Sequence, residues 1–379
     1  MRLIHLSDLH IGKRVNEYSM IEDQEFILNQ IYSIIVDKGA DGVIIAGDVY
    51  DKTVPTSEAV TLLDDFLSKL AKRKIPVYMI GGNHDSQERL SFGSALMEGS
   101  GVYISKAYEG EVRSITLTDE YGEISIYMLP FVKPINVRKY FEDEEISSYT
   151  DAIRVVLENT SIDTDKRNIL IAHQFVTGSR RSASEELSIG GLDNVDSYVF
   201  KNFDYVALGH IHSPQCCGEE TIRYCGTPLK YSFSEARDKK SVTVVDLFEK
   251  GRVEISTVPL NPRRDMIELR GSYNELMSKS FYEGTTYQED YVHITLTDEE
   301  DILNGLGNLR VIYKNLMKLD YDNQRTRQRE IIFDGKREEN KTPLLLFSEL
   351  YQKQNNKKMT DEQEKYISSL IEEIWEGEK

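Results

Sequence analysis

Gly81-Gly82-Asn83-His84-Asp85, directly after the apolar run Pro76-Val77-Tyr78-Met79-Ile80, is the stretch on which the reading of this chain turns. The run has the length and composition of a buried strand, and the residues after it are glycine-rich and then sharply polar. An amide, an imidazole and a carboxylate thus stand at a strand end, where open α/β sheets collect ligands. The two glycines read as residues that let the backbone turn there. Alone, the pentapeptide also fits a solvated turn, so its meaning depends on what the other strand ends carry.

Upstream, Leu3-Ile4-His5-Leu6 reads as a short strand running into Ser7-Asp8-Leu9-His10-Ile11-Gly12. Ile27, Ile31, Ile34 and Ile35 recur at the spacing of one helical face, which predicts a helix from about Glu22 to Lys38 with Gly39 as its stop. Val43-Ile44-Ile45-Ala46 is a second buried strand, ending in Gly47-Asp48-Val49-Tyr50-Asp51, and Leu63, Phe66, Leu67 and Leu70 mark the next amphipathic helix. Strand, helix, strand, helix, strand is the order of right-handed parallel crossovers. Downstream, Ile115–Thr118 and Glu123–Tyr127 alternate as a hairpin around Asp119–Gly122. Ile169–Ala172 leads into His173, and Phe203–Leu208 into Gly209-His210-Ile211-His212; Ser241–Leu247 and Val253–Val258 close the region.

Composition then divides the chain at 260/261 and 325/326. Asn261-Pro262-Arg263-Arg264 reads as a linker. Met266–Leu269, a helical stretch at Tyr273–Met277, Tyr291–Leu296, a helix from about Asp298, and Arg310–Tyr313 read as a small α+β unit. After Gln324 the chain turns charged. Thr342-Pro343 reads as N-cap and first helical position for Leu344–Tyr351. Thr360 and Gln363 form a capping box for a last helix with Ile367, Leu370, Ile371 and Ile374 on one face.

Polar clusters therefore stand at five strand ends: Asp8 and His10, Asp48, Asn83-His84-Asp85, His173, and His210 with His212, while Asp51 adjoins the second. Five of the seven histidines belong to them, which random placement would not produce. Aspartate, asparagine and histidine suit divalent first-row metals at mixed oxygen and nitrogen sites. The clusters offer more ligands than one ion needs; one shared carboxylate with three private ligands each would serve two ions.

The net charge of −18 opposes a surface that binds nucleic acid as a whole, so a polyanionic substrate requires a local basic groove, bound cations or a basic partner. Lys13-Arg14, Arg180-Arg181, Lys230 and Arg263-Arg264 are the candidate phosphate contacts. No apolar run approaches a membrane span, and Met1–His5 meets Ser7-Asp8 too soon for a secretion signal. Cys216, Cys217 and Cys225 have no CxxC spacing, so reduced thiols in a cytoplasmic protein are expected.

The order Asp-x-His, Gly-Asp, Gly-Asn-His-Asp, His, Gly-His-x-His resembles that of the calcineurin-like metallophosphoesterases. Ile4–Gly12, Gly82–Ser86, Leu129-Pro130-Phe131 and Tyr224–Glu235 narrow the resemblance to the SbcD-type nucleases, relatives of the Mre-type DNA-repair nucleases, strongly over about 1–260. The resemblance implies an α/β fold of two packed mixed sheets flanked by helices, with a small α+β capping domain and C-terminal helices. It implies a nuclease domain at 1–260, a capping, DNA-binding domain at 261–325, and a linker with docking helices at 326–379. It implies two divalent ions, manganese being the expected metal: one held by Asp8, His10 and His212, the other by Asn83, His173 and His210, with Asp48 bridging. His84 is the implied catalytic group, contacting the phosphate or protonating the leaving oxygen. Asp51 replaces the histidine that archaeal and eukaryotic relatives carry nearby, so it is expected to support the site, as is Asp85 by orienting His84. The implied activity is that of an ATP-dependent 3′-5′ double-strand exonuclease and single-strand or hairpin endonuclease in DNA repair, replication and recombination. The implied partners are DNA, a second copy of the chain, and an SbcC-like ATPase in an assembly of two subunits of each kind; no membrane is implied. A small-molecule or cyclic-nucleotide phosphodiesterase, a protein phosphatase, or a catalytically dead scaffold would share the core pattern, but the first two have no need of the appended segments.

Overall fold

Apolar runs buried on both faces build two mixed six-stranded sheets that pack face to face. The computed structural model describes residues 1–180, 182–185, 193–324, 326, 343–355 and 357–377. The first sheet runs, in spatial order, Val253–Pro259, Ser241–Leu247, Arg2–Leu6, Gly42–Ala46, Val77–Ile80 and Val102–Ile104, and its last four strands are parallel. The second runs Gln215–Cys217, Glu219–Tyr224, Tyr205–Gly209, Arg167–His173, Gly122–Leu129 and Arg113–Asp119, with four parallel strands between two antiparallel edges.

The period-2 alternation of each strand sorts its residues between two cores. Leu3, Ile44, Ala46, Tyr78 and Ile80 meet Ile126, Met128, Ile169, Ile171 and Ala207 between the sheets. Ile4, Val43, Ile45, Val77 and Met79 face outward onto Ile27, Ile31, Leu63, Phe66 and Leu70 of the helices Ile21–Asp37 and Ser57–Lys72. Leu170, Ala172, Val206 and Leu208 do the same against Ile153 and Val156 of the helix Tyr149–Glu158. In register, Leu6 lies opposite Ile45, Ala46 opposite Ile80, and Gly209 opposite His173, so the parallel strands of each sheet end along one edge.

A separate three-stranded parallel sheet, Met266–Gly271, Tyr291–Leu296 and Asn315–Tyr321, has its own core around Leu276, Ile294, Leu309 and Tyr313. Two expectations are corrected there. The helix read from about Asp298 is Gly305–Arg310, and the last strand begins at Asn315 rather than spanning Arg310–Tyr313. Asp298 accepts the amide of Tyr273 (2.7 Å) and Glu299 that of Gln324 (3.1 Å), so these acids close neighbouring turns instead of opening a helix. Ile312 and Tyr313 are buried as a turn, not as a strand.

The helices Pro343–Asn355 and Asp361–Gly377 contact each other, and Thr360 and Gln363 make the predicted capping box. Arg181, the charged segment 327–342 with Thr342, and the side chain of Ile374 lie outside the described residues. Among the described residues no helix is long and apolar enough to cross a membrane.

Candidate metal centre

The carboxyl ends of both sheets meet at one place. Asp8 and His10 follow Arg2–Leu6, Asp48 follows Gly42–Ala46, and Asn83 and His84 follow Val77–Ile80; from the second sheet, His173 ends its strand and His210 follows Tyr205–Gly209. Direct bonds join the two edges: the amide of His210 donates to Asp8 Oδ1 (3.0 Å), and His173 Nδ1 lies 2.8 Å from the Ala46 carbonyl. Close approach depends on glycine. A Cβ on Gly209 would collide with that same carbonyl, and one on Gly82 with the carboxylate and amide of Asp48. Gly82 has no positive φ, and what requires glycine there is the clearance over Asp48 at the bend that follows the strand. Asp8, His10, Asp48 and His210 adopt positive φ (52°, 43°, 49° and 103°), a conformation costly for residues with a Cβ and retained where function requires it.

The side chains so gathered present lone pairs to one another. The Nε2 atoms of His10 and His212 are 3.1 Å apart. Asn83 Oδ1 lies 3.0 Å from both His173 Nε2 and His210 Nδ1, and Asp48 Oδ2 is 3.3 Å from His173 Nε2 and 3.7 Å from His10 Nε2. With Nδ1 held by the Ala46 carbonyl, His173 turns its Nε2 toward two oxygens, Asn83 Oδ1 and Asp48 Oδ2. His10 Nδ1 is buried with no hydrogen-bond partner. Such a cluster requires protons or cations between its members, and its mixture of imidazole, carboxylate and amide suits divalent first-row ions. Potential ligand atoms of Asp8, His10 and His212 fall within 4.8 Å of one another, as do those of Asp8, Asp48 and His173, and of His10, Asp48 and His84.

Burial opposes charge throughout this pocket. It pushes the Asp8 carboxyl up and holds His10 and His212 below the ordinary imidazole range. At Asp48 burial is outweighed by His173, His84 and His10, which hold its carboxyl well below the ordinary range. Burial would also lower His173, but Asp48 and Asp8 raise it to about 9.

His84 stands apart from the buried imidazoles because its side chain keeps 16% exposure. Its amide donates to Asp48 Oδ1 (2.9 Å), and its Nδ1 bonds the Asp51 carbonyl (3.2 Å), which turns Nε2 inward, 3.9 Å from Asp48 Oδ2. The expectation that Asp85 orients this ring does not hold. Asp85 accepts the amides of Gly82 (2.9 Å), Val49 (3.0 Å) and Tyr50 (2.9 Å), tying the Asn83 loop to the Asp48 loop. The Asp51 carboxylate takes Lys13 Nζ (2.7 Å) and lies 3.6 Å from His10 Nδ1.

Sequence reading misses the residues that hold His212. Ser184 Oγ is 2.6 Å from its Nδ1 and also donates to buried Glu235, Glu185 accepts its amide (2.7 Å), and Lys240 donates to its carbonyl (2.9 Å). Burial would raise Glu235, yet His212 and Lys240 hold it at about 2. The one signal in the sequence is that Glu235 closes the Tyr224–Glu235 stretch. Most of the basic residues nominated from sequence are occupied. Lys13 pairs with Asp51, Lys230 with Asp265 (2.8 Å), and Arg263 and Arg264 with Glu22 and Asp23 (3.3 and 2.8 Å).

Comparison with known proteins gives two family matches. Residues 1–214 match the calcineurin-like phosphoesterase family, and residues 262–355 an SbcD C-terminal family described as the Type 5 capsule protein repressor C-terminal domain. The SbcD subunit of the nuclease SbcCD from Staphylococcus epidermidis is 36% identical over 323 residues, which cover 84% of this chain and 85% of the relative. Among solved structures, TT1561 of Thermus thermophilus matches at 12% identity and a TM-score of 0.38, covering 68% of this chain and 98% of its own. A dimetal phosphatase from Danio rerio matches at 11% identity and a TM-score of 0.39, covering 69% and 98%.

The clearance at Gly82 is testable. Gly82→Ala should displace Asp48 and weaken divalent-metal binding by roughly tenfold or more, in the range seen when groups supporting metal ligands are altered. Calorimetric titration giving unchanged affinity would show that Asp48 does not need this space.

Proposed function

The chain belongs to the calcineurin-like phosphoesterase family and to its SbcD-type nucleases, and on that premise we propose that it hydrolyses DNA phosphodiester bonds as the nuclease subunit of a two-component complex. The observation that carries this reading is the convergence of acceptor groups from both sheets around Asp48, with one partly exposed imidazole, His84, beside them.

In this reading Asp8, His10 and His212 hold one divalent ion, Asn83, His173 and His210 a second, and Asp48 lies between them; manganese is the metal we propose. When bound, such ions neutralise phosphate charge and lower the pKa of water. Asn83 contributes an oxygen without adding negative charge where a phosphate is to sit. The Asp51 carbonyl and the Asp48 carboxylate fix His84 from its Nδ1 and its amide. With Nδ1–H donated to that carbonyl, the imidazolium form of His84 would give its second proton, on Nε2, to the leaving 3′ oxygen and be left as the neutral ring. Asp85 supports the site by holding the two loops together, and Asp51 by holding Lys13 beside His10.

The C-terminal helices expose Leu346, Phe347, Leu350 and Tyr366, more apolar surface than a helix pair leaves to water without a partner. The relative's membership of an SbcCD complex, given in its name, supports the coiled coil of an SbcC-like ATPase as the occupant. That partner would supply ATP dependence and much of the DNA affinity that a chain of charge −18 lacks. Phe92 (83% exposed) and Leu96 (86%), just after the Asn83 loop, support a homodimer through that face, hence two copies of each subunit. Such a complex would act on DNA ends and hairpins in repair, replication and recombination, in the cytoplasm.

Three outcomes test these roles. His84→Ala should retain manganese but lose about 10²–10⁴ in kcat on duplex DNA, as for loss of a general acid. Asp48→Ala should lose both, and equal loss of metal in the two variants would refute the division of roles. A chain ending before Thr342 should no longer capture an SbcC-like ATPase in a pulldown; retained capture would place docking elsewhere. Phe92→Asp with Leu96→Asp should shift sedimentation from dimer to monomer, and an unmoved boundary would dismiss that face.

A further inference from the structure

Beside the metal centre lies a second cavity, a groove of about 400 Å³ whose walls carry Arg180, Gln215, Arg237 and Lys239. It begins at Ser213, the residue after His212, so one loop serves both places. The groove is built rather than accidental. Gln215 accepts the amide of Arg180 (2.9 Å) and donates to its carbonyl (2.8 Å), as a paired strand would. Ser213 donates to Asp238 (2.6 Å), and Lys240 ties the following turn to the His212 carbonyl (2.9 Å) and to Glu235 (2.6 Å).

Its charge sets it apart. Lys13, Lys230, Arg263 and Arg264 are each committed to carboxylates of the chain. Arg180, Arg237 and Lys239 are exposed, and among the described residues none has a carboxylate partner. Asp238, the one acid among the described residues lining the groove, is engaged by Ser213 and by Lys240 (3.7 Å). Three uncommitted cations on one concave wall, in a chain of net charge −18, form a local site for a polyanion.

We propose that this groove is the track along which the phosphate backbone of the DNA strand is led to the metal centre, Arg237 and Arg180 bonding phosphate oxygens with their planar forks and Lys239 acting as a point charge. The assignment rests on the nuclease reading above and adds the residues that would bind its substrate. Phosphate contacts carry no sequence information, so the groove contributes affinity and direction alike for all sequences.

The test uses the full chain with manganese and compares Arg237→Glu with Lys239→Glu in one variant against Lys72→Glu, a charge reversal at the far end of the helix Ser57–Lys72. Rates are read on a single strand long enough to fill the groove, on duplex DNA, and on bis-p-nitrophenyl phosphate, which is too small to span it. The groove variant should show a DNA KM raised roughly tenfold or more, with the slope of log affinity against log salt reduced by about 0.7–0.9 per lost contact. Its DNA rate should fall relative to its small-substrate rate. A DNA KM and salt slope equal to those of Lys72→Glu would overturn the assignment. A parent chain that, even with an SbcC-like ATPase and ATP added, turns over the small substrate but no DNA would overturn the nuclease reading, and the groove with it.

Discussion

Asp48 is a buried carboxylate kept charged in surroundings that favour its neutral form, and the rest of the site depends on that imbalance. Burial alone would protonate it; His173, His84 and His10 hold it ionised. Keeping it there takes a carboxylate accepting the His84 amide at 2.9 Å, the cleared space over Gly82, and a positive φ at Asp48 itself. The opposing sheet supplies His173, fastened to the first sheet through the Ala46 carbonyl at 2.8 Å. The two-sheet architecture therefore acts as a clamp that forces acceptors from both sheets into one volume. Without a cation that volume is electrostatically expensive.

The supporting bonds run outward from this centre in a consistent way. Asp85 ties the Asn83 loop to the Asp48 loop through three backbone amides, so the two loops move as one. Ser184, Glu235 and Lys240 do the equivalent for His212 on the second sheet. Four of the proposed ligands sit at positive φ, and the surrounding hydrogen bonds hold them there. Strain of this kind at four converging positions accords with selection for a site rather than for stability alone.

Much of this is legible in the sequence because each ligand follows an apolar run. Val43–Ala46, Pro76–Ile80 and Ile169–Ala172 announce buried strands, and the abrupt change to Asp48, Asn83 and His173 marks their ends. The features that escape are facts of three-dimensional contact. A glycine pair looks the same whether or not it clears room for a neighbour, so the space Gly82 leaves for Asp48 cannot be read from sequence. Asp85 stands next to His84 in sequence, yet its partners come from its own loop and from residues about 35 positions away. Asp298 and Glu299 resemble a helix start but accept the amides of Tyr273 and Gln324 instead. Several basic residues look available to phosphate because sequence cannot show that Asp51, Asp265, Glu22 and Asp23 already pair with Lys13, Lys230, Arg263 and Arg264.

In the reading proposed above, groups from both sheets share Asp48 between two ions. Anomalous diffraction from crystals soaked in manganese addresses it directly. Two peaks roughly 3.5–4 Å apart are expected, the separation usual for paired catalytic metals, with Asp48 reaching both. A single peak, or a pair in which Asp48 touches only one ion, would contradict it.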